Sequence, residues 1–342
     1  MRQISPALHY VLNTERSLSG DMGVAVERSN ASVPGDDKWH TNGGGSLTLP
    51  STNPYSPKRW IEIFSQGINS FDWKISAQPY VKLSQSAGSM NTSGPDVRVY
   101  IDIDWSAAPT GSFNTVLNIS SSRDYGTQYS MPTVNLPLQN VRVPSTFTSG
   151  FVESNGELAF EAEHFTRLTP KGSLTYDVLP LYGRTLSSLT LNDPLSESLT
   201  SATAPQLEYD FYTFSNTTSS KGLNVTLILS PTLNTTPKRP LAYIAQLDDK
   251  PEQRRQYVID QPQPNFPVNW GYAVANAAWY NTTNWGATQP GKHTLKVWLV
   301  EPGVVLQKIV LDLGGVAQSY LGPPESFRVG GGNGTVAHRR VV

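Results

Sequence analysis

The chain has 342 residues, 26 Lys and Arg against 27 Asp and Glu, and no Cys. A length of this order accommodates about two domains, each with its own core. Near-zero net charge removes the basic footprint of a nucleic-acid binder. The missing thiols exclude disulfide scaffolds, thiolate zinc sites and Cys nucleophiles, and no apolar run approaches the ~20 residues that span a bilayer.

Gly (27) and Pro (26), with abundant Ser, Thr and Asn, favour turn-rich β-structure over helix bundles. Residues 1–21 read as a linker remnant, part-helical around residues 8–12. From Met22 the texture changes. MGVAVE, RWIEIF, VRVYIDIDW and VTLILS alternate with a period of two, bounded by Gly, Pro, Asn and Ser clusters, as half-buried strands do. Pro132, Pro137 and Pro144 mark edge strands or a connector, because proline donates nothing to a ladder. A boundary is expected near residues 148–150, where PSTFTSG separates two strand-rich halves. FVESNGELAFEAEHF then reads as a hairpin, with Asn155-Gly156 supplying the positive-φ turn. Short strands continue to about residue 329, and a GGGNG tail over 330–342 has little reason to order. The expectation is an all-β chain of two β-sandwich domains, 22–149 and 150–329.

Candidate chemistry is sparse. Asp102 and Asp104 in IDIDW would share one strand face, a spacing that mimics a glycosidase acid/base pair. The simpler reading buries Ile101, Ile103 and Trp105 and leaves the aspartates in solvent. Glu161 and Glu163 in FEAEH are likewise placed on one strand face, where hard-cation binding suits carboxylate oxygens better than acid/base work; a solvated or salt-bridged face is the competing reading. His164 reads as a packed or surface histidine, and none of the five histidines has metal-ligand spacing with another. Residues 286–292, GATQPGK, match the outline of a phosphate loop, but His293 stands where Ser or Thr is needed and TLKVWLV follows as a strand. This is a turn. Trp270, Trp279, Trp285 and Trp298 fall close together with Tyr272 and Tyr280. Trp298 alternates within a strand as core. Trp270, Trp279, Tyr280 and Trp285 lie in a stretch that reads as loop; their flanking Asn residues suit stacking on sugar rings, and packing of a long loop is the alternative.

Eight sequons carry glycosylation acceptors: Asn30, Asn91, Asn118, Asn216, Asn224, Asn234, Asn281 and Asn333. They point to an extracellular, glycosylated protein. The opening MRQISP has no apolar h-region of a signal peptide. A secretory body without an export signal suggests a chain cut from a longer one; the alternative is a cytosolic protein with idle sequons.

MGVAVE (22–27), DVRVYIDIDW (96–105), FVESNGELAFEAEHFTR (151–167), YGRTLSSLTL (182–191), PGKHTLKVWLVEPGVVLQKIVLDLGG (290–315) and, most specifically, SYLGPPES (319–326) together resemble the C-terminal portion of glycoside hydrolase family 115. Those enzymes are xylan α-1,2-glucuronidases. The resemblance implies that catalysis belongs to a (β/α)-barrel preceding this region, so no catalytic residue is carried over. It implies a C-terminal sandwich similar to carbohydrate-binding modules that start with an E-A-E strand. In such modules the glutamates, here Glu161 and Glu163, hold a structural Ca²⁺ with an Asp near the last strand; Gln307 stands at that position. Implied partners are the catalytic barrel or a second subunit, and glucuronoxylan. The expected role is that of a non-catalytic accessory region, with a free-standing carbohydrate-binding module as the alternative.

Overall fold

A computed structural model describes residues 22–29, 32–33, 46–65, 69–91, 94–122, 132–234, 236, 239–258 and 265–330. The expected N-terminal remnant, the tail beyond Gly330, and the acceptors Asn30 and Asn333 lie outside the described residues. The chain divides into two compact units, Met1–Val141 and Arg142–Val342. The division falls earlier than the connector expected near 148–150. Phe147 already belongs to the second unit, its ring 5.5 Å from that of Tyr212.

The first unit is a sandwich of two five-stranded sheets. One runs β2 (Ser32–Val33), β1 (Met22–Val26), β4 (Arg59–Ser65), β8 (Val97–Ile103), β6 (Val81–Leu83). The other runs β3 (Ser46–Thr48), β10 (Thr133–Asn140), β9 (Gly111–Ser121), β5 (Phe71–Ser76), β7 (Ala87–Met90). Alternation decides the packing: Phe71, Trp73 and Ile75 of β5 are buried while Asp72, Lys74 and Ser76 are exposed. They join Val24, Ile61, Ile63, Val99 and Ile101 from the opposite sheet in one apolar cluster. Asp102 lies exposed on β8, 2.9 Å from Lys58 Nζ. Asp104 has passed the strand end and accepts from the Ser106 amide and hydroxyl. The two aspartates serve local turns and surface pairs.

The second unit is a larger sandwich. One sheet runs β19 (Gln253–Val258), β18 (Leu241–Leu247), β21 (Gly291–Leu299), β16 (Gln206–Thr213), β11 (Gly150–Val152), β23 (Arg328–Val329), with β13 (Arg167–Thr169) also on β16. The other runs β14 (Tyr176–Leu179), β15 (Ser188–Leu191), β22 (Val305–Asp312), β17 (Asn224–Leu229), β20 (Trp279–Asn284), with β12 (Glu157–Glu161) also on β22. Phe151, Tyr209, Phe211, Leu295 and Val297 from the first sheet meet Leu158, Phe160, Leu227, Ile309 and Leu311 from the second. The Phe160 ring stacks on Phe151 at 4.4 Å and on Tyr209 at 5.6 Å. Burying each such side chain stabilises the fold by about 1.5–3 kcal/mol.

The expected hairpin is corrected in one respect. Asn155 and Gly156 do take positive φ (54° and 68°) and reverse the chain. Yet β11 pairs with β16 and β23, whereas β12 pairs with β22. The turn carries the chain from one sheet of the sandwich to the other.

Candidate functional site

The aromatic stretch that reads as a loop is folded. It forms one short helix, α1 (Trp270–Ala275), and then β20. Along β20 the side chains alternate: Trp279 and Thr283 point into the sandwich, Tyr280 and Thr282 out of it. Trp279 (8% exposed) and Trp285 (5%) belong to the apolar core, and Trp270 packs against it. Stacking on an external sugar needs a free ring face, which Trp279 and Trp285 do not present. Tyr280 does, at 39% exposure.

Tyr280 is one member of a row across the outer face of its sheet. In register, Glu161 on β12 pairs with Lys308 on β22, Lys308 with Ile228 on β17, and Ile228 with Tyr280 on β20. Side chains of register partners emerge on the same face. Two segments cross this row. From the first, Thr185 Oγ1 lies 2.7 and 2.9 Å from the two Glu161 oxygens, its one proton shared between them, and Arg184 donates from Nη1 to the Tyr280 hydroxyl. The second is the SYLGPPES segment. Tyr320 lies under the Arg184 guanidinium at 3.9 Å, Glu325 accepts the Glu161 amide at 3.0 Å, and Ser326 exchanges hydrogen bonds with the Ala159 backbone. Tyr272 stands 6.4 Å from Tyr280, ring to ring. Tyr272 (62% exposed), Tyr280 and Tyr320 (61%) therefore form a linked aromatic surface with Arg184 between two of the rings. The sequence reading missed Tyr320, Arg184 and Lys308. The available signal for Lys308 was a charged residue inside the apolar run VVLQKIVL.

The glutamates expected to hold Ca²⁺ are not presented together on one strand. Glu161 ends β12, and the chain then enters a single 3₁₀ turn, Ala162–His164, which takes Glu163 off the strand face. Glu161 is buried, with Lys308 Nζ 3.1 Å from its Oε1 and only 4% of that lysine side chain exposed. Gln307 is engaged elsewhere: its Oε1 accepts the Arg184 amide at 3.1 Å, and its Nε2 donates to Ser230 Oγ and the Ala277 carbonyl. Among the described residues no group of three or more His, Asp or Glu is arranged to hold a metal. Ca²⁺ takes six to eight oxygens. An ammonium within hydrogen-bond reach of Glu161, with Glu163 displaced and Gln307 committed, does not fit that requirement.

Three other buried acids of this unit, Glu153, Glu301 and Asp210, are also matched by internal donors. Glu153 accepts the Phe214 and Ser215 amides at 2.6 and 2.9 Å. Glu301 lies between Arg239 (3.1 Å) and Arg254 (2.9 Å). Asp210 receives both Nη groups of Arg167, at 2.5 and 2.8 Å, and the Thr294 hydroxyl. Burial opposes ionisation of Asp210, but these donors prevail and hold its carboxyl below the usual range. Burial likewise opposes ionisation of Asp248, and its bonds to His293 and the Thr294 amide hold it low. A glycosidase general acid needs the opposite shift. The GATQPGK stretch leads into β21 as a turn, and His293 is tied to Asp248 at 2.8 Å.

Of the glycosylation acceptors, Asn91, Asn118 and Asn216 are exposed. Asn234 is half-buried. Asn224 accepts from the Asn284 amide at 2.7 Å, and Asn281 accepts the Tyr243 hydroxyl at 2.7 Å. The Asn281 carboxamide faces inward.

A profile of the glycosyl hydrolase family 115 C-terminal domain matches residues 150–325. A comparison with curated proteins gives no match. Among solved structures the chain is similar to BtGH115A, a family GH115 4-O-methyl-α-glucuronidase with specificity for decorated arabinogalactans: 14% identity, TM-score 0.34, over 51% of this chain and 19% of that one. It is also similar to the C-terminal CBM6 of LamC, a marine laminarinase from Zobellia galactanivorans, at 10% identity and TM-score 0.26, over 46% of this chain and 98% of that one. A family 35 carbohydrate-binding module from Clostridium thermocellum matches at 11% identity and TM-score 0.26, over 45% and 97%. The chain spans about a fifth of the length of BtGH115A.

Proposed function

Because this chain belongs to glycosyl hydrolase family 115, through the C-terminal domain at residues 150–325, we propose that it is a non-catalytic accessory region of a xylan α-1,2-glucuronidase. Its work is packing, against a catalytic domain or a second subunit, with weak contact to glucuronoxylan. One observation carries the non-catalytic part. Glu153, Glu161, Glu301 and Asp210 are each engaged by donors of the fold itself, and the Asp210 carboxyl is held below the usual range, opposite to the shift a general acid needs.

The sugar contact is assigned to Tyr280 with Tyr272 and Tyr320, because these rings keep a face to solvent while Trp279 and Trp285 do not. Exposed Phe266, Val268 and Val274, beside and within α1, supply apolar area for packing. We infer an extracellular location, which the family supports, and Asn91, Asn118 and Asn216, whose side chains are open to solvent, as the acceptors for glycans. Affinity electrophoresis in gels containing glucuronoxylan tests the contact. Retardation that weakens on Tyr280→Ala and Tyr320→Ala is expected; unretarded migration, or retardation indifferent to both, overturns it. A free-standing carbohydrate-binding module predicts retardation strong enough to persist through either single change.

A further inference from the structure

We propose that Lys308 is the resident cation of the Glu161 position: its ammonium supplies, from within the chain, the positive charge that the resemblance assigns to a structural Ca²⁺. Glu161 sits on the outer face of a sheet, roofed by residues 184–185 and 319–326, and its side chain is 7% exposed. A carboxylate withdrawn from water to this degree requires a matched charge and filled lone pairs. Lys308 gives the charge at 3.1 Å from the neighbouring strand, directly across the register. Thr185 gives its single hydroxyl proton, shared between the two carboxylate oxygens, and Lys308 donates to Oε1.

The arrangement is built rather than incidental. Lys308 is a charged residue in a strand whose burial is continuous from Val305 to Leu311, and it is itself 3% exposed. A lysine is retained there only where its ammonium has a partner. The neighbouring Gln307 is committed to other partners, tying the Arg184 amide to Ser230 and Ala277. The lysine and glutamine thus divide the two tasks of a bound ion at this point, charge balance and cross-linking of segments. The ion pair joins β12 to β22, and the Thr185 and Glu325 contacts bind both roofing segments to the same residue. The consequence is a domain whose sheet edge is locked without metal, and so is indifferent to chelators.

Thermal unfolding of the full chain tests this. In EDTA and in millimolar CaCl₂ the native protein should unfold within about 1 °C of the same temperature, since a ligand bound only by the folded state would raise it. Lys308→Met should lower the midpoint by roughly 10 °C, because it strands a buried carboxylate. The double variant Glu161→Gln with Lys308→Met should recover most of that loss, or fold where the single variant does not. A calcium-dependent rise in the native midpoint overturns the proposal. So does a Lys308→Met protein as stable as the native one, or a double variant no more stable than the single.

Discussion

His164 lies within 2.8 and 2.9 Å of the two Glu325 oxygens, and His293 within 2.8 Å of Asp248. The Glu325 hydrogen bond raises the His164 pKa against a smaller opposing effect of burial. For His293 burial works against the charged ring, but the Asp248 bond and charge outweigh it, and the net shift is again upward. A group whose folded pKa is raised contributes stability in full below its unfolded value, about 6.5 for histidine, and loses it as pH climbs through the folded value. Asp210 and Asp248 shift downward, so their contribution is complete above about 3.9 and lost as pH falls through their depressed values. Together these groups predict a stability plateau between about pH 4 and 6.5, falling on both sides. A midpoint that rises steadily from pH 6 to 8 contradicts the assignment. Glu301 gives a second expectation at this scale. With 3% of its side chain exposed between Arg239 and Arg254, Glu301→Gln should cost about 3 kcal/mol in chemical denaturation, whereas a loss near zero means the pair is not formed.

At the level of elements, the turn linking β11 and β12 is held by a close approach. A Cβ on Gly315 would lie 1.6 Å from the Asn155 carbonyl oxygen, and the Gly315 amide already bonds the Gly156 carbonyl at 3.2 Å. Gly315→Ala should therefore lower the unfolding midpoint by several degrees, roughly 1–3 kcal/mol of overpacking; an unchanged midpoint rejects the contact. This turn also shows what the sequence could and could not say. Asn155-Gly156 is a local signal, and the reversal was legible from it. Which sheets the two strands join depends on residues far along the chain, Phe211 and Tyr212 for β11 and residues 308–312 for β12, and no local pattern encodes that choice. Alternation made β4 and β8 readable. It failed for β20, because Asn281 and Thr283 occupy inward positions that an aliphatic residue would have advertised. The Glu161–Glu163 pairing failed for a related reason: spacing by two implies one face only while the strand continues, and here it ends at Glu161. The Lys308 partner is a register relation across strands, visible only once the sheet is formed.

For the molecule as a whole, the two units carry separate apolar cores, one built around Trp73 and Ile61 and the other around Phe160 and Tyr209. A core of that extent is enough for a domain of this size to fold alone. Residues 142–342 expressed by themselves should give a single cooperative unfolding transition; a broad transition without fixed tertiary signals contradicts autonomy. The family assignment rests on that same second unit, where the SYLGPPES segment is accounted for physically as the roof over the Glu161 row. Function is a property of sites and not of the fold alone, and Glu153, Glu161, Glu301 and Asp210 of this unit are committed to internal partners. The most direct measurement is glucuronic acid released from glucuronoxylan by the purified chain, followed from pH 4 to 8. Release at the level of a no-protein blank is predicted throughout. Turnover above the blank that disappears on one Glu→Gln or Asp→Asn substitution within this chain contradicts the account.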